Sequence, residues 1–221
     1  MLCSAGTGVH LVESQGLELI AEGCLPAGLA LDLSGALLFA DALDHCVVRC
    51  AWRGGASRQL VAGAKPQGPQ TSGQDLARLH RPFGVCVDLD GSLLVVDSGN
   101  HRVVRWKVGA TKGQLLCGGQ RGCSLSQLSY PRGMALEPSG ALLICDTFNH
   151  RLLRWRRGAS KAEVLFGGTR GRQLDQLNRP TAVVCDAARR RILVADSGNH
   201  RVLTIPWRLG GIGPEIGPNT P

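Results

Sequence analysis

A ten-residue pattern that recurs along the chain constrains its fold more than any other feature of the sequence. It reads DSGNHRVVRW at 97–106, DTFNHRLLRW at 146–155 and DSGNHRVLTI at 196–205. Successive copies start 49 and 50 residues apart, and a weaker copy begins at Asp41. A repeat of this length is typical of solenoids and propellers, in which each unit buries its apolar face against its neighbours.

Each unit has the sequence pattern of four short strands. A first run such as GVCVD ends at a DG or SG pair, which is typical of a hairpin turn. The second run is SLLVVD, ALLFAD, ALLICD or RILVAD, and its apolar residues do not alternate, which indicates a strand covered on both faces. Alternation resumes in HRVVRW, and RQLVAG, GQLLCGG and AEVLFGG supply a fourth strand in three copies. This pattern predicts an all-β fold built from four-stranded propeller blades.

Composition agrees with many short strands. The 221 residues are 43% hydrophobic, with 30 glycines and 4% aromatic residues, which suits tight turns better than long helices. The opening residues lack a basic segment followed by an apolar run, and no stretch approaches the roughly 18 apolar residues of a membrane-spanning helix. We therefore expect an intracellular, cytoplasmic protein without a targeting segment or membrane anchor.

The nine cysteines are scattered and form no CxxC pair. Cys145 and Cys86 occupy positions where sister copies carry alanine or valine, so we expect small buried hydrophobic residues in a reducing compartment. The close pairs Cys46 with Cys50 and Cys117 with Cys123 leave a metal or disulfide role open.

The extended pattern P-x-G-V-x-V-D-x-D-G-x-L-x-V-x-D-x-x-N-H-R-V resembles the NHL repeat, and copies two and three match it almost throughout. The resemblance implies a β-propeller with NHL-type blades. We expect strands of a partial blade in 1–25, four repeats at 26–75, 76–124, 125–174 and 175–208, and a flexible tail at 209–221.

The number of blades leaves two arrangements open. The fourth copy lacks a fourth strand of its own, because Pro206 cannot donate a backbone hydrogen bond there. Either the early strand at 17–21 completes that blade and closes a compact four-bladed ring, or the chain is an open arc of a larger ring, the size that the family favours. In an open arc the missing blades come from another chain or domain, since exposed strand edges are a liability.

The histidine at the centre of the decapeptide has two interpretations. As in the turns of NHL-like propellers, the segment joins the second and third strands, where aspartate accepts backbone N–H groups. Alternatively, four imidazoles form a ring that binds a metal. Equivalent turns on separate blades do not converge, so we favour the structural role and predict no metal, no cofactor and no catalytic residue. The structural repeat positions are Asp41, His45, Asp97, Asn100, His101, Arg102, Asp146, Asn149, His150, Arg151, Asp196, Asn199, His200 and Arg201.

The arginine after this histidine, Arg102 in copy two, lies on an alternating strand. We expect this arginine, and likewise Arg151 and Arg201, to lay its stem across the neighbouring blade and to reach an acidic strand end. In the first copy Cys46 replaces this arginine, which puts such pairing in doubt.

The charge balance suggests a second kind of surface. The chain has 25 Lys and Arg against 17 Asp and Glu, a net charge of +8. A basic face attracts phosphate backbones, and the resemblance to NHL domains of tripartite-motif proteins implies RNA binding on such a face. The other interpretation is that exposed arginines only keep a repeat protein soluble. Phe83, Tyr130 and Phe148 are the candidates for stacking on bases. The candidate basic surface comprises Arg154, Arg156, Arg157, Arg170, Arg172, Arg189, Arg190 and Arg191.

The sequence shows no P-loop, HExxH or nucleophile–base pair. A propeller fold by itself does not specify a function. Our first prediction is a non-catalytic interaction module that binds a protein or peptide through a propeller face. RNA binding is second, and a metal-dependent lyase similar to the amidating lyases is a distant third.

Replacing His150 with alanine is expected to lower stability without abolishing the binding of a ligand, because a repeated residue in a propeller usually serves packing. Thermal unfolding and ligand binding of the His150→Ala variant measure the two effects. Unchanged melting together with lost binding would contradict the structural role.

Overall fold

The computed structural model describes residues 24–50, 58–64 and 73–206, together with the backbone of three strands between residues 2 and 22. Over these residues the protein is all-β, and its helical segments are three 3-10 turns. This confirms the expected fold class. The chain divides into two compact units, Met1–Gly119 and Gln120–Pro221.

The first unit contains three antiparallel sheets in which consecutive strands are neighbours. One sheet has three strands, β1 Leu2–Ala5, β2 Gly8–Glu13 and β3 Gly16–Glu22. Blade 1 comprises β4 Pro26–Leu31, β5 Leu37–Asp41, β6 Cys46–Cys50 and β7 Arg58–Ala62. Blade 2 comprises β8 Pro82–Val87, β9 Leu93–Asp97, β10 Arg102–Trp106 and β11 Gln114–Gly118. The early segment 17–21 lies in β3, which pairs with β2.

The second unit contains two antiparallel sheets with the same strand order. Blade 3 comprises β12 Met134–Leu136, β13 Leu142–Asp146, β14 Arg151–Trp155 and β15 Glu163–Gly167. Blade 4 has three strands among the described residues, β16 Ala182–Asp186, β17 Arg191–Asp196 and β18 Arg201–Pro206. The predicted tail 209–221 lies outside the described residues. No helical segment in the described part of the chain has the length and apolar character needed to cross a membrane.

The second strands carry the core, as their apolar runs predict. β5, β9 and β13 are buried at every residue, and in each unit they contribute to clusters shared by adjacent blades. The prediction that both faces of the second strand are covered was wrong for β17. Its residues alternate between buried and half-buried, as far as the described residues show. On its half-buried face Leu193 lies opposite Val184, which is 55% exposed.

Close packing of the backbone explains why the Pro-x-Gly motif has a glycine. A Cβ atom at Gly28 would lie 2.4 Å from the carbonyl oxygen of Phe83, and one at Gly133 would lie 2.6 Å from that of Thr181. The first strands of adjacent blades within each unit therefore approach backbone to backbone, closer than any side chain permits.

A buried aspartate organises each of blades 2, 3 and 4. Asp97, Asp146 and Asp196 are 0% exposed. In each, Oδ2 accepts hydrogen bonds of 2.7–2.8 Å from the asparagine three residues later and from Nε of the arginine five residues later. Oδ1 accepts a backbone N–H from the loop that enters the blade. Burial raises the pKa of Asp97 and Asp146, but every partner is a donor, so the charged carboxylate is the form that satisfies the site at neutral pH.

The arginine of this network also holds the entering loop. Arg151 donates from Nη1 to the Cys123 carbonyl and from Nη2 to the carbonyls of Ser124 and Gln127, at 2.7–3.1 Å. Asn149 donates to the Gly122 carbonyl at 2.8 Å. Blades 2 and 4 repeat these contacts. The arginine reaches an acidic strand end, as expected, but that strand belongs to its own blade. The expected crossing of the neighbouring blade is wrong, because the aspartate and the entering loop of its own blade occupy its donors.

Blade 1 lacks this arginine. Asp41 Oδ1 accepts the backbone N–H groups of Leu25, Leu43 and Asp44 instead. Cys46 lies opposite Asp41, and burial raises the pKa of its thiol to about 12, so it remains neutral at physiological pH.

Cys46, Cys50 and Cys123 carry free thiols. The two close pairs therefore form no disulfide. Cys145 is buried, as predicted, whereas Cys86 is only half-buried and Cys123 is exposed.

The variant Asp146→Asn is expected to lower the free energy of unfolding by about 3–5 kcal/mol, because the buried guanidinium of Arg151 loses its counter-charge. Urea unfolding followed by circular dichroism measures this change. As a control, Arg156→Gln removes an exposed ion pair with Glu163 and should leave the midpoint unchanged. A wild-type midpoint for Asp146→Asn would overturn the role assigned to the carboxylate.

Candidate functional site

The histidine of the repeated turn connects consecutive blades inside each unit. The four histidines have φ values of 53–57°, in the left-handed region where the turn closes. Nδ1 of His45 accepts the backbone N–H of Arg81 at 3.0 Å, and Nδ1 of His150 accepts that of Arg179 at 3.1 Å. Arg81 and Arg179 immediately precede the proline that opens the next blade. These contacts are structural in kind.

The surroundings of His45 and His150 favour the neutral imidazole. Burial lowers the pKa of both side chains. Nearby positive charge acts in the same direction, from Arg81 beside His45 and from Arg170 and Arg179 beside His150. A neutral ring keeps the Nδ1 lone pair that accepts the hydrogen bond.

The predicted basic surface separates into two groups. We call the end of a blade that carries its first-to-second and third-to-fourth strand turns the hairpin end, and the opposite end the loop end. Arg170 and Arg172 lie at the loop end, in the connection from blade 3 to blade 4. Arg154 belongs to neither group, because it is 6% exposed and pairs with Glu137 at 2.7 Å. The hairpin ends carry Arg156, Arg157, Arg189, Arg190 and Arg191.

The two groups differ in how their charge is compensated. At the hairpin ends, Arg156 pairs with Glu163 at 2.9 Å, and Asp186 receives two arginines at 3.0 and 3.3 Å. At the loop end of the second unit, four exposed arginines make no ion pair with a carboxylate of the described residues. They are Arg121, Arg170, Arg172 and Arg179. At the hairpin ends Arg157 and Arg190 also lack an ion pair with a described carboxylate, so the ends differ in degree: three of five arginines are paired there and none of these four.

Blade 3 departs from its sister copies at this same loop end. Phe148 stands in the turn where copies two and four carry Gly99 and Gly198. Tyr130 precedes the opening proline where those copies carry an arginine. Tyr130 and Phe148 are distant in sequence but adjacent in space. The backbone N–H of Phe148 donates to the carbonyl of Ser129, the residue before Tyr130, at 3.1 Å.

A third departure accompanies the phenylalanine. A Cβ atom at Gly99 would lie 2.6 Å from Nδ1 of His80, and one at Gly198 would lie 2.6 Å from Cγ of Asn178. Blade 3 has the smaller Ser129 at the position of His80 and Asn178. The smaller side chain removes these two side-chain contacts, and copy one, with Cys24 at the same position, likewise carries a large residue, Leu43, in its turn.

The departures create a ladder of stacked groups, which we call the aromatic ladder: Arg121, Tyr130, Phe148 and Arg179. The Tyr130 and Phe148 ring centroids are 5.1 Å apart with an interplanar angle of 54°. Cζ of Arg121 lies 5.3 Å from the Tyr130 centroid, and Cζ of Arg179 lies 5.4 Å from the Phe148 centroid. These separations are those of favourable aromatic and cation–π contacts. Phe148 is nevertheless 41% exposed.

The chemistry that this arrangement supports is recognition. Two aromatic rings offer apolar contact area, and the guanidinium groups beside them offer hydrogen bonds to carboxylate or phosphate. Within the described parts of the chain, no group of three or more His, Cys, Asp or Glu side chains is arranged to hold a metal ion.

Sequence reasoning found part of this site. Tyr130, Phe148, Arg170 and Arg172 were candidates from residue type alone, whereas Arg121 and Arg179 were missed. The signal that identifies the site is the break in the repeat, since positions that differ in one copy are not needed to build a blade.

Comparison with known sequences supports the repeat assignment. The profile of the NHL repeat matches residues 79–106 and 177–204, which are the cores of copies two and four. Copy three, which carries the aromatic ladder, is not among the matched segments. No curated protein matches the sequence of the chain.

Solved structures share the fold at low sequence identity. An auxiliary nutrient binding protein from Bacteroides thetaiotaomicron is 16% identical with a TM-score of 0.68, and the match covers 89% of this chain and 52% of that one. A gluconolactonase from Xanthomonas campestris is 15% identical with a TM-score of 0.65, covering 85% and 60%. A chain of a nidogen/laminin complex is 16% identical with a TM-score of 0.63, covering 93% and 77%. This chain thus spans about half the length of the nutrient binding protein, and these likenesses show the fold alone.

Stability is expected to fall as the pH drops below 6.5, the ordinary pKa of histidine. The folded-state pKa of His45 and of His150 is lower, so between the two values the unfolded chain binds more protons and the free energy of unfolding decreases with decreasing pH. Urea midpoints at pH 7.5 and pH 5.5 measure the loss. A His45→Gln, His150→Gln double variant should show a smaller difference between the two pH values, and an unchanged difference would contradict the assignment.

Proposed function

This chain carries NHL repeats folded as propeller blades, and we propose that it is a non-catalytic interaction module that binds a protein or peptide partner. The partner surface is the loop end of blades 3 and 4. One observation carries the proposal: the two residues at which blade 3 differs from blades 2 and 4, Tyr130 and Phe148, make a tilted ring contact between two arginines and remain partly exposed.

The residue types of the aromatic ladder support a protein partner. Tyrosine and arginine are enriched among the few interface residues that supply most of the binding energy, and phenylalanine is enriched in interface cores. The contacts of Tyr130 with Phe148 and of each ring with its arginine hold the side chains in place before binding. Preorganisation of this kind lowers the entropy lost on association.

The charge around the ladder indicates the chemistry of the partner. Arg121, Arg170, Arg172 and Arg179 are exposed and make no ion pair with a carboxylate of the described residues. An acidic segment with an apolar side chain would complement both the guanidinium groups and the rings. Opposite charge would also steer the encounter and raise the association rate at low salt.

RNA is the second candidate, because exposed aromatic rings and arginine planes also hold unstacked bases. The geometry favours it less, since each ring of the ladder already has a guanidinium over it. The salt dependence of binding distinguishes the two partners, because neutralised phosphates release counterions and make affinity fall steeply with ionic strength.

The double variant Tyr130→Arg, Phe148→Gly tests the proposal, because it gives blade 3 the residues that copies two and four carry. Its unfolding midpoint should therefore stay close to that of the wild type. A displayed peptide library is selected against the wild-type chain, and the enriched peptides are titrated against both proteins. We expect the double variant to weaken binding by roughly 30-fold or more, which corresponds to the loss of a hot spot of about 2 kcal/mol.

The control is Arg156→Gln, Arg157→Gln, which removes two positive charges at the hairpin end and should leave peptide affinity unchanged. An RNA pool is selected in parallel under the same conditions. RNA ligands that depend on Phe148, with no such peptides, would replace the first candidate by the second. Peptides that bind wild type and double variant equally would overturn the surface.

A further inference from the structure

A cavity lies between blades 1 and 2 at their hairpin ends, within the first unit. Its volume is about 600 Å³, which is inside the range of roughly 300–1,000 Å³ typical of small-molecule sites. Blade 1 lines it with the β4–β5 turn and with β7, and blade 2 lines it with the β8–β9 and β10–β11 turns. The cavity shares no residue with the aromatic ladder.

The deep part of the cavity is apolar. Leu38 and Leu93 are 1% and 7% exposed, and the half-buried Leu60 and Val61 complete the wall. Because Leu38 and Leu93 are already shielded from water, an aliphatic ligand would mainly cover the accessible area of Leu60 and Val61, which is favourable in proportion to the apolar area covered.

Two large aliphatic side chains stand exposed at the rim. Leu33 of blade 1 is 73% exposed, and Val108 of blade 2 is 83% exposed. A Cβ atom on Gly91 would lie 3.6 Å from Cδ1 of Leu33 and 3.9 Å from Cγ2 of Val108. The two side chains therefore converge on Gly91 from opposite blades, where a ligand in the cavity would cover them.

The acidic residues of the cavity are already compensated. Asp32 accepts a hydrogen bond from Nε of Arg49 at 2.6 Å and further bonds from Ser34 and the Ala36 N–H. Although burial opposes the change, the hydrogen bonds from Ser34 and Arg49 lower the pKa of Asp32 to about 2. Asp90 pairs with Arg105 at 2.6 Å.

Lys107 is the basic residue of the cavity that lacks such compensation. It is exposed, and no ion pair joins it to a carboxylate among the residues described. A single ammonium attracts one negative charge. Because Asp32 and Asp90 are paired with arginines, Lys107 is the uncompensated charge of the cavity, and it repels a cationic ligand.

We propose that this cavity binds a small aliphatic monocarboxylate, with its alkyl chain against Leu60 and Val61 and its carboxylate on Lys107. The site is independent of the proposed partner surface.

Octanoate is the probe, with octylamine as a ligand of equal chain length and opposite charge. Isothermal titration calorimetry measures affinity, and methyl NMR spectra locate the ligand through the shifts of Leu33, Val61 and Leu93. We expect octanoate to bind at least about tenfold more tightly than octylamine, because only the carboxylate pairs with the ammonium. The methyl shifts should be confined to the cavity.

Matched variants separate the two parts of the site. Lys107→Gln should weaken octanoate binding by about threefold to fivefold, as expected for a partly exposed ion pair, and Lys112→Gln, in the same β10–β11 turn but outside the cavity, should not. Leu60→Trp fills the cavity and should weaken binding at least about tenfold. Its fold is checked by the unperturbed NMR spectrum of blade 2 residues away from the cavity.

Equal affinity for octanoate and octylamine would overturn the proposal, as would methyl shifts scattered over the surface. Equal effects of Lys107→Gln and Lys112→Gln would also overturn it. Because peptide binding at the aromatic ladder is measured with different variants, failure here leaves that test unaffected.

Discussion

Blades 2, 3 and 4 depend on one interaction, a buried aspartate carboxylate whose partners are all hydrogen-bond donors. Asp97, Asp146 and Asp196 each end a second strand and hold an arginine and an asparagine, whose remaining donors bind the carbonyl groups of the entering loop. Without the carboxylate, a guanidinium would be buried with no counter-charge, which costs several kcal/mol. The strand, its turn and its loop therefore form one cooperative element, and the repeated decapeptide is its sequence signature.

The same network positions the candidate site. Ser129, whose N–H bonds to Asp146, immediately precedes Tyr130, and Phe148 lies two residues after that aspartate. Gly122, whose carbonyl is held by Asn149, follows Arg121, and the N–H of Arg179 is held by His150. All four members of the aromatic ladder thus lie within two residues of a group fixed by the blade 3 turn. A binding surface on loops usually loses entropy when it is ordered, and this one is held by the scaffold beforehand.

Local sequence patterns predicted the strands and turns correctly, but they did not predict all the contacts of individual arginines. The apolar runs located β5, β9 and β13, and the decapeptide located the turns, because strand periodicity and turn chemistry are local properties. Pairing of Arg102 with an acidic strand end was predicted correctly, but the blade was wrong, since sequence alone does not reveal that Gln74, Asp75 and Arg78 present their carbonyl groups to it. Arg154 was assigned to a surface although it pairs with Glu137 inside blade 3, because a run of arginines on a strand does not state which of them face inward.

The sequence by itself determined the all-β class, the blade repeat, the turn that carries Asp, Asn, His and Arg, and the positions at which copy three breaks the pattern. Tertiary structure decided which arginines are compensated by carboxylates, that Tyr130 and Phe148 meet, and that a cavity remains between blades 1 and 2. The physical reason is that these features depend on contacts between residues many positions apart, across loops and blades. Their distances are set by packing, which local sequence patterns do not encode.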